Sequence, residues 1–75
     1  MAKLTGEVVS VAANAKTMIV KEQSGRREML DIDNRVSIRK VGRPVLISDI
    51  IDGDKVTVHY NMIADKKIAT TIYIR

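Results

Sequence analysis

A chain of 75 residues with no cysteine and one histidine, His59, is a single domain that folds without disulfides and without the usual zinc ligand sets. Hydrophobic residues at 45% and charged residues at 29% describe a globular protein, neither disordered nor membrane-spanning. The excess of 13 Lys and Arg over 9 Asp and Glu, a net charge of +4, is compatible with attraction to polyanions at low salt and equally with a solvated basic surface.

In chain order, residues 4–12 (LTGEVVSVA) are rich in β-branched side chains and read as a first strand. Gly6 predicts a bulge or bend in it, and Val8 and Val11 share a face only if the two-residue period slips by one. Residues 13–16 turn the chain. Residues 17–22 form a second strand with Met18 and Val20 inward and Thr17, Ile19 and Lys21 outward. Gln23, Ser24 and Gly25 turn it again, and residues 26–32 form a third strand with Leu30 and Ile32 inward. Asp33 and Asn34 are expected to break that strand. Val36 and Ile38 mark a short strand or extension, and Gly42 and Pro44 an irregular loop.

The most organised stretch is residues 46–60, LISDIIDGDKVTVHY. Leu46, Ile47, Ile50 and Ile51 recur at helical spacing, so one helical turn is expected there, capped by Ser48 and ended by Gly53. Reading Asp52-Gly53 as a two-residue hairpin loop is the competing view. Val56, Val58 and Tyr60 then alternate with Lys55, Thr57 and His59, the period of a strand with its valines in a core. Residues 62–67 read as a loop and residues 68–74 as the last strand. Three strands, a connection with a short helical turn and two more strands predict an all-β, five-stranded OB-like barrel over residues 1–75, with an SH3-like barrel as the alternative.

Taken together, Gly6-x-Val8-x-x-Val11, residues 17–21, Ser48-Asp49-Ile50, residues 53–58 with Tyr60, and Lys67-Ile68-Ala69-Thr70-x-Ile72 resemble a group of small bacterial domains of unknown function. The resemblance implies an OB-like barrel and brings no catalytic residue. Members of that group are often exported. A second, weaker resemblance, in Met1-Ala2-Lys3, residues 53–58 and Arg75, is to bacterial translation initiation factor one, an OB-fold protein of the small ribosomal subunit. The basic and aromatic loop of that factor has no counterpart in residues 38–47.

Catalysis is not indicated. His59 projects from the outer face of a strand, and Ser10, Ser24, Ser37 and Ser48 have no nucleophile elbow around them. Asp49, Asp52 and Asp54 do not follow the order of an EF-hand loop and are better read as turn and capping residues, so neither a metal nor any other cofactor is expected.

Two binding functions are left. OB barrels usually bind oligonucleotides or sugars across strands two and three and the adjoining loops. There Lys21, Arg26, Arg27, Lys66 and Lys67 would follow the phosphates of a single-stranded nucleic acid. With aromatic residues at only 3% of the chain, Tyr73 is the one ring expected outside. The other function is a protein-interaction or self-assembling module, centred on Ile19 and Met29 where outward polar residues are the rule.

The reading adopted is a non-catalytic binding or interaction module, with nucleic-acid binding as the alternative. Its partner is a protein, a second copy or a single strand, and not a membrane. Met1, Ala2 and Lys3 lead straight into a strand, which points to a cytoplasmic location, an exported one following only if a leader was removed.

Overall fold

The computed structural model describes residues 2–75. Its strands are β1 (Ala2–Ala12), β2 (Thr17–Glu22), β3 (Arg27–Lys40), the two-residue β4 (Arg43–Pro44), β5 (Lys55–Ile63) and β6 (Lys66–Ile74), with a 3-10 turn at Ile47–Asp49 between β4 and β5. Hydrogen bonding runs in the order β2-β1-β5-β6-β3-β4, and a further β2–β3 pairing closes the sheet on itself. Every pairing is antiparallel except β3–β6. This is the expected all-β OB-like barrel of five long strands, with one helical turn in the connection.

The predicted periodicities fill its interior. Met18, Val20, Leu30, Val56, Val58 and Ile72 are almost fully buried, joined by Leu4, Val8, Ile32, Ile38, Ile50, Ala69 and Ile74. Tyr60 is half-buried and packs against this cluster. No polar or charged residue is buried among those described. The core is therefore held by aliphatic burial alone.

β1 bends where its period slips, but the bulge is not at Gly6. Its register with β2 shifts between Val8 and Ser10, which makes Val9 the extra residue and turns both Val8 and Val11 to the core. Gly6 serves a close approach instead. A Cβ there would lie 2.3 Å from the Lys21 carbonyl oxygen and 2.8 Å from Val20 Cγ1.

Asp33 and Asn34 do not break β3. Its pairing with β6 passes from Ile32–Ala69 directly to Ser37–Thr71, and residues 33–36 are taken up as a bulge. Their polarity is used locally, for the Asp33 carboxylate accepts the Arg35 N–H at 3.0 Å and the Asn34 side-chain oxygen accepts the Lys16 ammonium.

Two expected loops are hairpins. Arg39 pairs with Pro44 and Lys40 with Arg43, so Gly42 and Pro44 belong to a tight turn whose central residues, Val41 and Gly42, have φ of 50° and 80°. β5 and β6 replace the loop at residues 62–67, joined at Ala64 and Asp65 with φ of 51° and 64°. Positive φ at both central residues is the signature of turns that match the twist of paired strands.

The helical turn is present, but Ser48 does not cap it. Leu46 is the capping position, and the Asp49 carboxylate accepts its N–H at 2.9 Å. The turn ends at Ile50, ahead of Gly53, which sits at φ 94° in the next bend. There its N–H donates to the Val8 carbonyl at 2.8 Å, and the Asp54 carboxylate accepts the Ile51 N–H at 3.0 Å.

Two substitutions test this account. Gly6→Ala should destabilise the fold by about 1–3 kcal/mol in urea unfolding, because β1 and β2 must separate to admit a methyl group. Val41→Asn should stabilise it by about 1 kcal/mol, because a β-branched residue at positive φ is replaced by one that tolerates it.

Candidate functional site

The residues proposed to follow a phosphate backbone are divided by the structure. Lys21 and Arg27 face each other as a register pair on β2 and β3, both exposed. Lys21 also lines a cleft of about 480 Å³ that contains Glu7 and Glu22 beside Lys55 and Arg75, so its surroundings are of mixed charge. Lys66 is exposed at the start of β6, next to the Ala64–Asp65 turn. Arg26 and Lys67 belong to a different arrangement.

That arrangement is built on Glu28. Its register partner is the fully buried Val20, which places Glu28 on the inward side of β3. The Glu28 side chain is only 12% exposed, and it accepts Lys67 Nζ at 2.5 Å and Arg26 Nε at 2.8 Å. The Lys67 hydrogen bond is the main reason its carboxyl lies below the usual carboxylate range, outweighing the opposing effect of burial. Two of the five candidate cations thus neutralise one acid of the fold. The sequence holds no local signal for this, since Glu28 and Lys67 are 39 residues apart.

Ile19 and Met29 are brought together. They are direct cross-strand partners on the outer face of β2 and β3, with Met29 64% exposed and Ile19 half-buried. The row on one side of them is Lys21 and Arg27, and the row on the other is Thr17 and Asp31. An apolar centre therefore lies between a basic and an acidic edge.

On another part of the surface, His59 lies half-buried on the outer face of β5, with its ring 5.7 Å from that of Tyr73 and nearly perpendicular to it. Among the described residues no three His, Cys, Asp or Glu gather as a metal cluster would require. No helix is long and apolar enough to cross a membrane.

The lowered pKa of Glu28 has a definite sign. A carboxyl that ionises more readily when folded contributes stability at neutral pH, and that contribution disappears as pH falls through its folded pKa. Glu28→Gln should therefore be less stable than the parent at neutral pH in thermal melts, and the deficit should vanish once the pH drops below the ordinary carboxylate range.

No family model matches the chain. No curated protein matches it either. Solved structures do match, across nearly its whole length. It is similar to apo-CusF from Escherichia coli (TM-score 0.76, 14% identity, 97% of this chain and 84% of that one) and to Ag(I)-bound CusF (TM-score 0.78, 14% identity, 99% and 96%). A further CusF–Ag(I) structure from Escherichia coli agrees, with TM-score 0.77 and 14% identity over 97% and 89%. At this identity the likeness is one of fold, the small OB-like barrel, and function has to be argued from the surfaces above.

Proposed function

We propose that this chain is a non-catalytic interaction module that associates with a second copy of itself through the outer face of β2 and the first half of β3. The observation that carries the reading is the exposed Ile19–Met29 pair and the opposite charges on its two sides. A two-fold axis along the Ile19–Met29 line lays each apolar pair on its counterpart. The same operation sets Arg27 of each copy against Asp31 of the other, so the face is complementary to itself. The contact is small, and the expected association is weak and dependent on concentration.

Three observations turn the reading away from other classes. Among the described residues the His59 ring accepts no hydrogen bond from a serine or threonine hydroxyl, and its close neighbour is the Tyr73 ring. A nucleophile and its base are thus not assembled. The silver of the CusF structures calls for soft sulfur and imidazole donors. Among the described residues Met18 is buried in the core, Met29 lies outside on β3, and Met62 and His59 lie on β5, with no two of the four paired in register. These residues do not fit a soft-metal site. Nucleic-acid binding through Lys21, Arg26, Arg27, Lys66 and Lys67 is weakened because Glu28 already holds Arg26 and Lys67.

Light scattering over a range of concentrations tests the proposal. The parent chain should increase in mean mass with concentration, and Ile19→Lys should stay monomeric with an unchanged circular dichroism spectrum. Arg27→Asp should weaken association about tenfold by setting like charges together, and the double variant Arg27→Asp/Asp31→Arg should restore it. A parent chain that is monomeric at the highest soluble concentration, or an Ile19→Lys variant of unchanged mass, refutes the reading.

A further inference from the structure

The remaining half of the barrel surface carries a pattern of its own. Where β1, β5, β6 and the second half of β3 lie side by side, two register rows face outward. One runs Thr5, Thr57, Tyr73, Arg39, and the next runs Lys3, His59, Thr71, Ser37. Their direction is fixed by parity, because the intervening Leu4, Val58, Ile72 and Ile38 are all buried. The chain has nine acidic residues, and none occupies either row.

What the rows hold is chemically specific. An aromatic pair stands at the centre, with Tyr73 45% exposed and braced edge-on by His59. Lys3 flanks it on β1 and Arg39 on β3, both exposed. Hydroxyl groups take the other positions, and those of Thr5 and Thr57 lie 3.4 Å apart. Beyond Tyr73 the face gains Lys55 and Arg75, which are adjacent because the Arg75 N–H donates to the Lys55 carbonyl at 2.9 Å, and the acid Glu7 stands at this margin as the register partner of Lys55.

We infer that this face binds single-stranded nucleic acid, with Tyr73 as the platform for one base and Lys3, Arg39, Lys55 and Arg75 along the phosphates. The exposed ring selects a single strand, since stacking on a side chain needs a base that is free of its own stack. Cations on both sides of the ring suit a backbone that passes over it, and the hydroxyls can donate to phosphate or base edges. The surface differs from the β2–β3 face that self-association uses, so either proposal can fail without the other.

The test is fluorescence anisotropy with a labelled, mixed-sequence single-stranded DNA of about a dozen nucleotides, within the range of site sizes known for such barrels. The parent chain should bind at low salt, with log affinity falling against log salt at a slope of about 3 in magnitude for four phosphate contacts. Tyr73→Ala should weaken binding about tenfold while Tyr73→Phe retains it, and Arg39→Glu should weaken it at least as much as Tyr73→Ala. Lys66→Glu, at the far end of β6 from Tyr73, should leave affinity within about twofold, as expected for a residue outside the contact. Absence of binding at low salt, an unaffected Tyr73→Ala or Arg39→Glu variant, or equal binding of the corresponding duplex would each overturn the inference.

Discussion

The fold depends on two long strands that must each pair with different neighbours along their two halves. β1 gives its first half to β5 and its second to β2, while β3 gives its first half to β2 and its second to β6 and β4. A flat strand cannot do this, and both are bent by extra residues: Val9 in β1 and residues 33–36 in β3. Gly6 completes the bend, since any larger residue would meet the Lys21 carbonyl as β1 crosses β2. The parallel β3–β6 ladder follows from the same geometry, because only a β3 long enough to turn the corner reaches the last strand.

Those bends also divide the surface. Because β1 and β3 change partners midway, each contributes outward residues to two separate faces. On one, Ile19 and Met29 sit between a basic and an acidic row. On the other, an aromatic pair sits in two rows of hydroxyls and cations that hold no acid, with Glu7 beside Lys55 at their margin. The charge of +4 is consequently not a uniform coat. Glu28 removes Arg26 and Lys67 from the free cations, whereas the charges of Arg39, Lys55 and Arg75 enter neither of the two ion pairs found among the described residues.

Much of the fold was legible because period-two alternation survives wherever a strand has one buried face. Met18 and Val20, Leu30 and Ile32, and Val56 and Val58 were all read inward and all lie in the core. The misreadings have a common cause in polar or unusual residues at bends. Asp33 and Asn34 look like a strand break, yet they satisfy the backbone and a neighbouring lysine inside a bulge. Val41-Gly42 and Ala64-Asp65 lack the Asn-Gly signal, so neither hairpin was visible. Of the candidate sites, Ile19 and Met29 could be placed outward by parity alone. The Glu28–Lys67 bond and the rows around Tyr73 require the register of strands far apart in sequence, which no local pattern encodes.

Barrel closure restricts how anything can attach to this protein. Most strand edges are consumed by the ring of pairings, and the strand left at the margin, β4, is two residues long and ends in Pro44, which has no amide hydrogen to offer. An incoming peptide therefore finds only short stretches of free edge for strand addition, the recognition mode that relies on main-chain hydrogen bonds. The larger surface open to partners is that of the side chains on the curved outer walls. Such walls can change their specificity by substitution at outward positions while the aliphatic interior stays as it is.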